Sequence, residues 1–208
     1  MMNLRQFLPF FSYVFHPIFI TLYGTFFYFL VAPHAISTKN QLFSLLQVFI
    51  ITVLLPLAIF FLLISLGKVK SFTEATVAER KVPIVVQIIL LFCLISLKNY
   101  TGMEELYYFY LGGLFCSFAA WIITLADYKV SLHMMGISAL ATFIYTINYI
   151  FELSYINSVA FAVVCVGLVA SSRLYMKSHT ANELILGAFL GFIFQYLCWS
   201  FYFFIYKM

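Results

Sequence analysis

Charge is nearly missing from this chain of 208 residues: 9% are Asp, Glu, Lys or Arg, against 65% hydrophobic and 21% aromatic. No soluble domain of this length has such a composition. Carboxylates are scarcer still, with Asp127 the one aspartate. That argues against prenyltransferase sites, which hold magnesium on paired carboxylates. The four cysteines, Cys93, Cys116, Cys165 and Cys198, lie in apolar runs without paired spacing, so neither a disulfide framework nor a zinc site is expected. No fixed-period repeat and no low-complexity segment is present. After Arg5 an apolar stretch runs to about Val31 with no small-residue cleavage site, which reads as an uncleaved first span.

What the chain has is long apolar runs. With roughly 20 residues needed per crossing, spans are expected near 10–32, 41–67, 83–98, 104–127, 133–153, 155–171 and 182–206. The fold class that follows is all-α: a polytopic transmembrane bundle of about seven spans, six at the least, forming one domain over residues 1–208. Runs 83–98 and 155–171 are short for a crossing, and Pro56 is expected to kink or tilt the second span. The lipid bilayer is the expected partner and nucleic acid is not; the oligomeric state stays open. His16-Pro17 and His34 read as structural or interfacial residues of the first span. Glu104 and Glu105 suit the positive N-terminal end of the fourth helix. Gly187 and Gly191 form a small-xxx-small pair that lets the last helix pack closely on a neighbour.

With seven spans, the segments after the second, fourth and sixth emerge on one face. They hold most of the polar residues: KVKSFTEATVAERKVP from Lys68 to Pro83, DYKVSLH from Asp127 to His133, and SSRLYMKSHTANE from Ser171 to Glu183. One site can draw on all three, provided that 83–98 crosses. In the third segment Ser172-Arg173 is followed after five residues by His179 and after three more by Glu183. A guanidinium matches phosphate oxygens, an imidazole serves as nucleophile or proton carrier, and a carboxylate one helical turn beyond orients the ring. The second segment adds Lys129, Ser131, His133 and Gly136, and the first adds Arg80 and Lys81. Each segment alone also fits a solvated basic loop at the bilayer interface.

Taken together these residues resemble the type 2 phosphatidic acid phosphatase family, membrane phosphatases related to vanadium haloperoxidases, in a divergent branch with a Lys-x-Ser-x-His-x-x-Gly pattern over Lys129 to Gly136. The resemblance covers about residues 68–200 and departs from the common pattern in several places. Val130 and Leu132 stand where the family has proline and glycine, Glu183 stands for aspartate, Pro83 lies three places after Arg80, and Thr73 falls where a lysine is usual. Two apolar spans also separate the first two motifs.

The resemblance implies a membrane lipid phosphatase that needs no metal or other cofactor. In it His179 attacks phosphorus, Glu183 holds the other ring nitrogen, and His133 acts as general acid and then base. Arg173, Arg80, Lys129, Ser131, Ser172 and Lys81 are the phosphate-binding candidates, although Lys81 sits about 100° around a helix from Arg80. A lipid phosphate or diphosphate is the implied substrate, with polyprenyl, phosphatidate, phosphatidylglycerol phosphate and lipid A forms all open. The implied setting is a bacterial plasma membrane. The motif face carries most of the basic residues, but setting aside the candidate phosphate ligands leaves the charge count undecided about orientation. The alternative from another class is a noncatalytic lipid-phosphate-binding or membrane-complex subunit.

Overall fold

Proline and hydroxyl residues decide where the first helices begin. In the computed structural model, which describes residues 4–32, 36–67, 76–97, 100 and 102–206, the first expected span is two helices, α1 (Leu4–Val14) and α2 (Pro17–Val31). They meet at 68°. Pro17 occupies the first turn of α2, where its missing N–H costs nothing, and extended His16 caps it by accepting the Ile18 N–H on Nδ1 at 3.4 Å. A single rod through 10–32 is therefore corrected to a broken one. The second expected span runs from Ser37, whose hydroxyl caps α3 (Thr38–Phe49), through a π-helical turn (Ile50–Leu54) into α4 (Leu55–Ser65). The wider turn sits just before Pro56, which can donate no hydrogen bond, so the rod adapts there without a sharp break.

Five longer helices follow: α5 (Val77–Leu97), α6 (Glu104–Leu125), α7 (Leu132–Ile150), α8 (Ile156–Tyr175) and α9 (Ala181–Tyr206). Each coincides with an expected apolar run, and no strand occurs among the described residues. Four rods, Thr38–Ser65, α6, α8 and α9, are long and apolar enough to cross a membrane, and α1 with α2 makes a fifth if counted as one broken span. Helices α5 and α7 fall outside that set, so length and composition alone support fewer crossings than the six to seven expected. Large apolar side chains such as Phe61, Ile122, Phe161, Ile185 and Phe204 point outward, the surface that an integral membrane protein presents to lipid.

The centre of the bundle is the α7–α9 pair, with α2 and α8 on α7, α6 on α9, α5 on α6 and α1 on α8. Gly187 and Gly191 make that pair possible. A Cβ on Gly187 would lie 2.5 Å from the Ser131 carbonyl oxygen, and one on Gly191 would collide with the carbonyl oxygen of Met135. The small-residue pair thus brings the start of α7 against the start of α9. Further along, Phe143 of α7 stacks on Phe109 of α6 with centroids 4.2 Å apart.

Candidate active site

Helix ends build this site. At the end of α8 the Ser178 N–H bonds back to the Arg173 carbonyl at 3.1 Å and the Lys177 N–H to that of Leu174 at 2.9 Å, with Lys177 at φ 52°. This is a Schellman closure in which lysine takes the left-handed position usually given to glycine. It reverses the chain and sets His179 beside the last turn that carries Arg173. Thr180 then caps α9, its hydroxyl accepting the Glu183 N–H at 3.4 Å. The sequence Thr180-Ala181-Asn182-Glu183 has the form of a capping box, but the carboxylate takes a different donor: His179 Nδ1–H bonds Glu183 Oε2 at 2.6 Å.

The other two segments are fixed in the same manner. Another Schellman closure ends α6, with Asp127 at φ 56° and the Tyr128 N–H on the Ile123 carbonyl. It launches Val130 and Ser131 toward α7. Ser131 caps that helix through the Met134 N–H at 3.4 Å, and its own N–H reaches the Glu183 carbonyl at 3.2 Å. The starts of α7 and α9 are thereby tied together. At the start of α5, Thr76 and Glu79 make a reciprocal box: the Thr76 N–H donates to Glu79 Oε2 at 2.8 Å, and the Glu79 N–H to the Thr76 hydroxyl at 3.3 Å. That box, a type of cap worth about 1 kcal/mol, fixes the first turn that carries Arg80. The stretch 68–75, with Lys70 and Thr73, and also His34, lie outside the described residues.

A cavity of about 460 Å³ opens among these ends, with Arg80, Arg173, His133, His179 and His16 on its polar wall. All three expected segments contribute. The His179 side chain is 1% exposed and that of Glu183 16%. Burial and the cations of Arg80, Arg173 and Lys129 outweigh the carboxylate and push the His179 imidazole down to a pKa of about 4. At neutral pH the ring is uncharged, with its Nδ1 proton on Glu183 and its Nε2 unprotonated. Arg173 is buried at 7% exposure, and its Nε has no hydrogen-bond partner. Burying a guanidinium donor without an acceptor is unfavourable, and an anion in the cavity would remove that cost.

Four expected phosphate ligands are placed elsewhere. Lys81 leans away from Arg80 and pairs with exposed Asp127 at 3.1 Å, as the 100° offset along a helix requires. Lys129 donates to the Ser178 carbonyl at 2.7 Å; it supports the loop before His179 and adds charge nearby. Its own pKa is lowered by burial and by Arg80 and Arg173, with Glu183 opposing. The Ser131 hydroxyl is taken by its cap, and Ser172 is fully buried against Ser12, the two hydroxyls 2.6 Å apart. Neither serine lines the cavity.

Sequence reasoning missed α1 and the break that follows it. His133 Nε2–H donates to the Ser12 carbonyl at 3.1 Å, and the His16 ring stands edge-on to the His133 ring, centroids 5.0 Å apart. The second motif histidine is thus held from the N-terminus, and only its Nδ1 is left for proton exchange. The signal was present in the His16-Pro17 dipeptide, a helix-breaking pair inside an apolar run. No family model, curated protein or solved structure matches the chain.

Proposed function

We propose that this protein is a membrane lipid phosphatase of the type 2 phosphatidic acid phosphatase kind, hydrolysing a lipid phosphate or diphosphate through a phospho-histidine. The observation that carries the reading is a neutral, carboxylate-oriented His179 facing the same cavity as two arginines, one of them buried with an unpartnered Nε. Cations gather a phosphate; a buried nucleophile then needs only to be deprotonated and aimed.

In the reaction, His179 Nε2 forms a bond to phosphorus while the bond from phosphorus to the lipid oxygen breaks. Glu183 retains the Nδ1 proton and offsets the charge that develops on the ring. Arg80 and Arg173 stabilise the equatorial oxygens, where charge spreads in the transition state. His133, whose Nε2–H stays on the Ser12 carbonyl, must first take a proton from water on Nδ1, a step that the bound phosphate anion favours; it then gives that proton to the departing lipid oxygen. It later accepts one from the water that attacks the phospho-histidine, which breaks the N–P bond, releases inorganic phosphate and returns His179 and His133 to the states in which the cycle began. Seven crossings, with α5 and α7 spanning and α1–α2 as one broken span, would place the three segments on one membrane face. Their mutual contacts through Lys81–Asp127, Lys129–Ser178 and Ser131–Glu183 support that arrangement.

The test is phosphate release from purified protein in detergent, with acid-labile phospho-enzyme trapped by rapid quench. Wild type should turn over in EDTA, and His179→Ala should lose both turnover and the trapped intermediate. Substrate binding without turnover in the wild type would instead favour a noncatalytic lipid-phosphate binder. Full turnover in His179→Ala would remove this segment from the chemistry.

A further inference from the structure

The cavity does not end at the phosphate end of the bundle. It continues between α2, α4, α5, α6, α7 and α9 past Ile20, Ile59, Phe60, Ile84 and Ala139, and its far wall is made by Leu91, Phe109, Gly113 and Gln195. Its depth can be read from two helices. At 1.5 Å per residue, Arg80 to Leu91 along α5 and Glu183 to Gln195 along α9 give about 17 and about 18 Å. An extended chain advances roughly 1.2 Å per bond, so the depth accommodates about 14 bonds.

Resting on the phosphatase reading, we infer that this cavity is a ruler for lipid chain length: the substrate is a lipid phosphate whose tail in the cavity has about 10 to 14 carbons. The floor is firm. Gln195 is fully buried, its Nε2 donates to the Phe109 carbonyl at 2.9 Å, and the Gly112 Cα faces it so closely that a Cβ there would lie 2.5 Å from Nε2. Gly113, one residue on, differs: a Cβ there meets only Leu91 Cδ1, at 3.8 Å. A side chain at 113 can thus grow into the deep end of the cavity without striking backbone. Ala139 borders the same cavity nearer the phosphate, about 9 Å along α7 from His133.

Straight-chain alkyl phosphates of six to eighteen carbons are the probes, read as kcat/KM for phosphate release. Equilibrium binding of the matching alkyl phosphonates, which cannot be hydrolysed at the P–C bond, is read by thermal shift. Wild type should gain about fourfold per methylene, the burial value for one CH2, up to about 12 carbons and nothing beyond. Gly113→Leu should move that limit down by about three carbons, and Ala139→Leu should move it further. Gly113→Ala, a milder change, should give a smaller shift in the same direction and guards against misfolding of the larger variants. A gain that continues to 18 carbons, or a limit that Gly113→Ala and Gly113→Leu leave in place, would overturn the ruler. Chain-length-limited phosphonate binding without phosphate release would instead uphold the ruler and sink the phosphatase reading, so the two failures are distinguishable.

Discussion

Glu183→Gln isolates the hydrogen bond that aims the nucleophile. The 2.6 Å contact between His179 Nδ1 and Glu183 Oε2 is a charge-assisted bond, about twice as strong as a neutral one. Losing the charge alone removes about 1 kcal/mol, or roughly fivefold in rate. The tautomer matters more. An amide can turn its N–H toward Nδ1, which moves the ring proton to Nε2 and occupies the lone pair meant for phosphorus; that kind of error costs about 10² to 10⁴ in kcat. Glu183→Asp separates charge from reach. Glu183 already meets the ring, and removing one carbon–carbon bond of about 1.5 Å would stretch the contact to about 4 Å, past hydrogen-bonding distance. Glu183→Asp should therefore also fall, by about tenfold, although aspartate is the usual choice in the family that these motifs resemble. The assay is kcat from phosphate release, with ¹⁵N shifts of His179 reporting which ring nitrogen holds the proton. Wild-type kcat in Glu183→Gln, with the proton still on Nδ1, would refute the assignment of Glu183 as the orienting group.

The acid limb of kcat/KM should lie near pH 4, where His179 gains its proton; Arg173→Gln removes one lowering cation, so the limb should move up toward 6.5, and a limb fixed at its old place would count against His179 as the titrating group. The same sign holds for stability: a histidine with a lowered folded pKa contributes fully above about 6.5 and loses that contribution as pH falls toward 4, measurable by thermal unfolding in detergent across that window. Lys81→Ala should stay within twofold in activity because its ion pair is exposed, whereas Lys129→Met should lower kcat by about tenfold by freeing the Ser178 carbonyl. His16→Ala should slow alkyl phosphates more than aryl phosphates, since it loosens the histidine that protonates the leaving oxygen; equal loss on both would remove His16 from that role. Gly191→Val should lower thermal stability by about 1 to 3 kcal/mol or more through collision with the α7 backbone.

Legibility in the sequence follows the range of the interaction. Apolar runs gave the helices because burial in lipid or core needs no partner to be identified. The Gly187 and Gly191 pair could be read because small residues four apart have one main use in apolar helices. The offset of Lys81 from Arg80 could be read because helix geometry is local, and the structure sends Lys81 to Asp127. Ser131 and Ser172 could not be judged: a serine beside a motif histidine has the same letter whether its hydroxyl faces a ligand, caps a helix or meets another serine. The His16-Pro17 break could be read, but the contacts that His16 and Ser12 make with His133 could not, for a different reason. They reach His133 across more than a hundred residues of chain, and no periodicity records a contact of that range.

The spacing of the third motif has its own physical origin. Arg173 is the residue whose carbonyl receives the sixth residue's N–H in the closing turn, and Ser178 is that sixth residue. The next position must leave the helix, and it is His179. Thr180 then caps α9, so the third residue beyond it is the first whose side chain can turn back along the helix axis to the residue before the cap, and that residue is Glu183. A guanidinium at the end of one helix, an imidazole in the turn and a carboxylate in the first turn of the next are thus brought together by two ordinary helix ends with one residue between them. Inserting a single residue between Lys177 and His179 would leave both apolar helices and the local His179–Glu183 contact intact and yet displace the imidazole from the turn that carries Arg173. Such an insertion should fold, retain its thermal transition and release no phosphate; activity in that variant would show that this turn does not set the site.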